Sequence, residues 1–278
     1  MVVRFQIITA GLCACLLNGA LAATPTAGVK ADDLTPSGTH NFAVHASSSS
    51  GSEVTFPTFT QIVVDGNVSV QLVAVNQSDA SDIVSRYAKN AHVKVTAKDN
   101  VLSITSKGGK GSSSVKAKKA IIKLPVVMLT ELTVSDSAQV SGTKVSAHDL
   151  VIHAENYAQV SLTGNGIDLK DIESSGSSKV SVKWATGSHV DIDQGDNSQI
   201  ELAGAVDDLY LQVKDHANFD GEYCRAQRII AQGSDFARLK VMPVESLRAF
   251  TSDYSTVYYY KTPAYITQHS TDSSAILE

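Results

Sequence analysis

The chain has 278 residues, 43% of them hydrophobic and 18% charged, with 23 Lys and Arg against 28 Asp and Glu. That length supports one large domain or two small ones around a buried core. The mildly acidic balance, without a basic block, excludes the cationic stripe that a nucleic-acid binder needs to displace counterions from phosphates.

Residues 1–22 begin with Arg4 as their one charge, run apolar from Phe5 through Leu17 and close on Ala20-Leu21-Ala22. This is the order of a cleaved secretory signal. A lipobox at Leu12-Cys13-Ala14-Cys15, which would leave Cys15 lipidated, is the alternative; the short apolar stretch ahead of Cys15 speaks against it. Cleavage after Ala22 leaves 22 basic and 28 acidic residues and Cys224 as the one cysteine, so no internal disulfide is expected. Cys224 then reads as a small buried residue rather than a nucleophile. The expected address is the periplasm, the outer membrane or the exterior, and no later segment has the length and apolarity of a transmembrane helix.

Residues 23–55 are rich in Thr, Ser, Gly and Ala, with the run Ser47-Ser48-Ser49-Ser50-Gly51-Ser52, and read as a flexible tether holding at most a short strand at Phe42-Ala43-Val44. From Phe59 the pattern turns to period two, as in Ile62, Val64, Val68, Val70 and Leu72, and again in Val93, Val95, Leu102 and Ile104. These are strands with one buried face. The best helical candidate is Ser78 to Lys89, and the Gly-, Ser- and Lys-rich stretch Lys107 to Lys119 reads as an exposed loop.

From Leu132 onward the chain repeats. Seven segments align: Ser137-Ala138-Gln139-Val140, Tyr157-Ala158-Gln159-Val160, Ser177-Ser178-Lys179-Val180, Asn197-Ser198-Gln199-Ile200, His216-Ala217-Asn218-Phe219, Phe236-Ala237-Arg238-Leu239 and Tyr254-Ser255-Thr256-Val257. The second position is always Ala or Ser and the fourth always apolar, with steps of 20, 20, 20, 19, 20 and 18 residues between fourth positions. A further apolar ladder, Leu132, Ile152, Ile172, Ile192 and Leu211, lies eight residues before the fourth position. Units of this size without helices cannot bury their apolar faces singly, so they must stack, about 4.8 Å apart, as a parallel β-helix or β-solenoid. The small second position follows from the same stacking, because a large inward side chain at a tight corner would collide with its copies above and below. Residues 56–278 are therefore expected to form one all-β solenoid domain.

The segments Phe59-Thr60-Gln61-Ile62-Val63-Val64-Asp65-Gly66, Leu124-Pro125 with Leu132 to Val140, and Ser174 to Val180 resemble the bacterial family DUF2807, described as "putative auto-transporter adhesin, head GIN domain". The resemblance covers Phe56 to Glu278. It implies a right-handed β-helix in exported proteins of Gram-negative bacteria, with a Ser-Gly-Ser-Ala-x-Val repeat that Ser175-Gly176-Ser177-Ser178 keeps closely. Where the family ends in Tyr-x-Gly-x-Pro, Tyr259-Tyr260-Lys261-Thr262-Pro263 carries Lys in place of Gly, which bears on the geometry of the last rung. The family supplies no catalytic residues, and without a membrane barrel in the sequence an autotransporter mechanism is not expected.

Strand alternation turns the first position of each segment outward. His216, Phe236 and Tyr254 then fall on adjacent rungs, with Tyr157 further along the same stripe. They are the candidate binding ladder, offering flat apolar faces to a sugar or to a partner's side chains; cross-rung stacking for stability alone is the bland alternative. Tyr258, Tyr259, Tyr260 and Tyr265 extend that surface or cap the open end, with capping favoured. The same alternation sets Asp171, Glu173, Asp191 and Asp193 outward on two neighbouring rungs, with His153 one rung before and no Lys or Arg evident beside them. They read as a solvated acidic face, a weak Ca²⁺ site or a paired-carboxylate glycosidase site. His148 and His153, five apart, are poor joint ligands and read as surface residues.

The expectation is an exported, non-enzymatic cell-envelope or surface protein, an adhesin-like module for a glycan or protein, with no cofactor beyond weakly held Ca²⁺. The alternatives are a carbohydrate-active enzyme built on Glu173 and Asp193, and a structural envelope protein that self-associates through exposed end strands.

Overall fold

The computed structural model describes residues 59–73, 93–106, 120–125 and 128–278. The expected signal segment, tether, Ser78–Lys89 helix and Lys107–Lys119 loop lie outside the described residues. Six long strands form the body: β7 (Gln139–Ala154), β8 (Gln159–Ser174), β9 (Lys179–Gln194), β10 (Gln199–Val213), β11 (Asn218–Gly233) and β12 (Arg238–Thr251). Before them come β1 (Gln61–Asp65), β2 (Val68–Val73), β3 (Val93–Lys98), β4 (Val101–Ser106), β5 (Ala120–Pro125) and β6 (Leu129–Val134); after them come β13 (Thr256–Tyr259), β14 (Tyr265–Ser270) and β15 (Ala275–Leu277). All belong to one coiled sheet, parallel everywhere except at β3. The β-solenoid expected from the repeat is the observed fold.

Its register is that of the sequence ladder. Val140, Val160, Val180, Ile200, Phe219, Leu239 and Val257 lie directly opposite one another from level to level. So do Ile62, Leu132, Ile152, Ile172, Ile192 and Leu211, all at most 2% exposed. Each fully buried Leu, Ile or Val removes apolar surface from water and contributes about 1.5–3 kcal/mol. The columns together form one continuous core along the axis.

The corner carrying the repeat has a feature that the Ala/Ser rule does not describe. The residue just before each first position has a left-handed backbone: Asp136, Asn156, Gly176, Asp196, Asp215, Asp235 and Asp253 all have φ between 57° and 71°. Asn, Asp and Gly tolerate that region best, which explains what occupies the column. Backbone bonds tie one corner to the next, as where Phe236 N–H donates to the Asp215 carbonyl and Tyr254 N–H to that of Asp235, both at 2.8 Å. The Ala/Ser alternation is also explained. A serine hydroxyl here turns back to a corner carbonyl, Ser198 to Gly195 at 2.7 Å and Ser255 to Ser252 at 2.8 Å, so either residue fits the same small space.

The repeat extends beyond the seven copies read from the sequence. Asp272 (φ 58°) begins an eighth, and Ile276 lies opposite Val257. At the other end Gly66 (φ 91°) opens a copy in which Val68 holds the small position and Val70 lies opposite Val140. Chain order and stacking order differ there, because β1 is inserted between β4 and β6, and β2 between β5 and β7. β3 returns antiparallel on β4 through Asp99-Asn100, whose φ values of 50° and 66° are those of a two-residue hairpin with both residues left-handed.

At the far end β14 pairs with β12 and β15 with β13. Lys261 keeps a negative φ, so the residue that stands where the family has Gly imposes no left-handed strain. Of the tyrosines expected to cap this end, Tyr259 alone packs partly buried against the core, whereas Tyr258, Tyr260 and Tyr265 point into solvent.

Replacing Ala237 by Leu drives a large side chain between Ala217 and Ser255 on the adjoining levels. Such overpacking should cost about 1–3 kcal/mol, whereas Ala237→Ser should be nearly neutral; thermal or urea unfolding of both variants checks this.

Candidate functional site

His216, Phe236 and Tyr254 each follow a left-handed Asp at the corner, so the repeat throws their rings outward at the same point of successive levels. His216 stacks on Phe236 with centroids 4.8 Å apart and planes at 18°, and Phe236 on Tyr254 at 5.1 Å and 3°. The spacing is that of the strands, so the rings spend their flat faces on one another. Phe236 is covered on both sides and presents its edge, while His216 and Tyr254 each keep one face free. Tyr157, although 68% exposed, is separated from this stack by the levels of Ser177 and Asn197 and does not join it. Each stacking contact contributes about 0.5–1.5 kcal/mol beyond burial.

The Asp column beside the rings is engaged by the backbone. Asp196 accepts from Gly176 N–H at 2.8 Å and Asp215 from Asp196 N–H at 3.0 Å, each carboxylate capping the level before it. The sequence held the signal, since Asp, Asn or Gly recurs immediately before every first position.

On the neighbouring face Asp171 lies opposite Asp191 and Glu173 opposite Asp193, as expected from the repeat. Three of the four acids have a basic neighbour, and one of these, Lys214, corrects the expectation that no Lys or Arg stands beside them. His153 Nδ1 is 2.8 Å from Glu173, His189 Nε2 is 3.3 Å from Asp191, and Lys214 Nζ, arriving from a corner, is 3.8 Å from Asp193. Lys214 was missed because its effect comes through stacking and not through sequence proximity. Asp171 has no such partner, and its carboxyl is raised above the usual range by burial first and then by Glu173 and Asp191. His148 reaches Asp168 at 2.7 Å and Asp149 at 3.4 Å in a separate exposed cluster, well removed in contacts from the His153 pair. Cys224 is fully buried, and desolvation pushes its thiol up to about 12, so it is not a nucleophile at neutral pH.

A third surface escaped the sequence reading. Over the first halves of β7 to β11, Gln139, Gln159, Lys179, Gln199 and Asn218 form one outward column, and Ser141, Ser161, Ser181, Glu201 and Asp220 form the next. Between them runs a shallow groove of about 510 Å³ that follows the rod axis, from the level of Ser69 to that of Asn218. Gln139 Nε2 donates to Gln159 Oε1 at 2.9 Å, and Ser181 Oγ to Glu201 Oε2 at 3.0 Å. Its sequence signal lies at the third and fifth positions of the repeats, where amides and hydroxyls recur without the aromatic or acidic character that marks a site by itself.

A coiled parallel sheet of 20-residue repeats with exposed polar columns defines the chain as a β-solenoid. The family model "putative auto-transporter adhesin, head GIN domain" matches residues 58–263, and the chain belongs to that family. Three solved structures share the fold. A protein described as a putative lipid binding protein from Parabacteroides distasonis superposes with a TM-score of 0.65 at 16% identity, over 81% of this chain and 94% of its own. A putative adhesin from Parabacteroides merdae gives 0.64 at 16% identity, over 81% and 93%. One from Bacteroides fragilis gives 0.54 at 17%, over 80% and 92%. No curated protein matches the chain in sequence.

Two measurements check this surface. Because the folded Asp171 carboxyl titrates higher than the unfolded one, folding gains relative stability below the ordinary Asp range and loses it as pH rises through the raised value. Asp171→Asn should therefore raise the melting temperature at pH 7, with the gain disappearing below about pH 4. Phe236→Ala removes both ring contacts and should lower stability by about 1–3 kcal/mol, read by chemical unfolding.

Proposed function

We propose that the chain is an exported, non-enzymatic binding module of the cell envelope or surface, adhesin-like, which engages a glycan or protein partner. The observation that carries this reading is the set of aligned outward columns on a rod whose interior is filled by stacked side chains. Such a surface repeats one contact at every level and suits an extended partner better than a small molecule, for which an enclosed apolar pocket is the usual device. Family membership, the adhesin descriptions of the Parabacteroides merdae and Bacteroides fragilis proteins and the secretory pattern of residues 1–22 support the same reading. Export to the periplasm, the outer membrane or the exterior of a Gram-negative cell goes with it.

The ring stripe of His216, Phe236 and Tyr254 contributes ring edges and the free face of Tyr254 as an accessory contact. No cofactor is required. The carboxylates of Glu173, Asp191 and Asp193 already have basic neighbours, so Ca²⁺ at this patch would bind weakly at best. The raised Asp171 carboxyl beside Glu173 and Asp191 is the feature that favours the competing glycosidase reading.

The chain from Ala23 onward, applied to an array of envelope polysaccharides and to solubilised envelope proteins with and without Ca²⁺, should retain material that mass spectrometry finds uncleaved. Cleaved glycan that is lost in Glu173→Gln would overturn the proposal in favour of the enzyme. Retention of nothing from either source would overturn binding itself.

A further inference from the structure

We infer that the groove over β2 and β7 to β11 is a track for an extended, uncharged polysaccharide chain lying along the rod axis; this rests on the binding-module reading and names its ligand. The floor is a column of short hydroxyls, Ser141, Ser161 and Ser181, on three successive levels. Beside it on the corner side stands the longer column of Gln139, Gln159, Lys179 and Gln199, and these two columns line the groove. A short column beside a longer one makes a shallow trough whose direction is set by the stacking, so whatever fills it is long, thin and parallel to the axis. The groove spans six levels, or roughly 24 Å at one strand spacing per step.

The chemistry selects among long, thin polymers. Serine hydroxyls and primary amides both donate and accept, and a ladder bond such as that from Gln139 to Gln159 still leaves each amide an N–H and a lone pair for a ligand. That two-way capacity matches sugar hydroxyls, and the charged members of the lining, Lys179 against Glu201 and Asp220, form no continuous column of one sign along the track. A nucleic acid would meet the carboxylates of Glu201 and Asp220 at one end and lacks the cationic column it needs. A protein partner would look for aromatic or Arg anchors in a desolvated centre, and the exposed side chains lining this trough include none. The charged end is itself closed by ion pairing, with Lys183 3.8 Å from Glu201 and Lys240 3.0 Å from Asp220.

The test is calorimetric titration of the chain from Ala23 onward with soluble neutral oligosaccharides, the cello- and N-acetylchito- series of two, four and eight sugars. Affinity should rise at least tenfold from the shortest to the longest member. Ser161→Arg fills the trough and should remove that gain; Gln159→Ala, a milder change that leaves the floor intact, should weaken the longest member several-fold. His148→Ala, on the separate exposed cluster, should bind as wild type, and a melting curve for each variant establishes that it is folded. Absence of binding, absence of length dependence, or wild-type binding by folded Ser161→Arg overturns the track. If the array still retains envelope material in Ser161→Arg, the binding-module reading stands and only the track is lost. If envelope protein is what Ser161→Arg fails to retain, the occupant is a protein and the polysaccharide assignment is overturned.

Discussion

Everything in this molecule depends on parallel, in-register stacking, which gives most residues in the coils their own copies as nearest neighbours, one strand spacing above and below. A side chain is accepted only if it tolerates that company. Branched aliphatic residues do, and so the inner columns are Ile, Val and Leu. At the tight corner of the seven copies from Ala138 to Ser255 the side chain is Ala or Ser, because the space is closed by the corner's own carbonyls, to which the serines turn their hydroxyls. Planar rings do as well, since a ring spacing of 4.8–5.1 Å coincides with that of the strands.

Like charges are the hard case, and the structure handles them in two ways. The corner aspartates are stacked, but the carboxylates of Asp196, Asp215 and Asp235 each accept a backbone N–H from the level before, so their charge is tied to fixed dipoles. Elsewhere opposite charges alternate along a column: Arg228 reaches Asp208 at 2.8 Å and Lys240 reaches Asp220 at 3.0 Å, each twenty residues back. Exposed pairs of this kind add little stability singly. Their effect is to prevent a column of repulsion, and the acidic patch follows the same rule with His153, His189 and Lys214. Asp171 is the exception, and it is there that the carboxyl titrates upward.

What could be read from the sequence follows from where the stacking constraint is strict. The inner ladder and the Ala/Ser corner are readable because burial keeps the one apolar and crowding keeps the other small in each of the seven copies. The left-handed column of Asp, Asn and Gly is equally periodic, but a polar turn residue does not by itself announce its backbone conformation. The opposite side of the coil was not readable. Pairing there shifts register between Thr143 and Leu150 and between Thr163 and Asp171, and the corner is turned by unlike residues, Lys144, Gly166, Trp184 and Gly204. Gly204 shows why no rule emerges: a Cβ on it would sit 2.0 Å from the Ala185 carbonyl, a conflict particular to that level. The insertion of β1 between β4 and β6 was hidden for a different reason, since periodicity reports that strands stack but not in which order. The hairpin residues Asp99-Asn100 were the one local signal of that reversal.

Candidate sites divide along the same line. A repeat of this kind makes columns, so a search for a compact constellation of unlike groups finds only what stacking happens to leave, as with His153, Glu173, Asp193 and Lys214. Columns of like groups are what the fold produces at no extra cost, and their effect accumulates with length. In the ring column the like groups consume one another's faces, which favours the rod over a ligand. In the amide and hydroxyl columns they do not, because each group keeps hydrogen-bonding capacity after serving its neighbour. Where a column's members can satisfy one another and still offer a bond outward, the stacking that builds the rod also builds a surface for a partner with a repeat of its own.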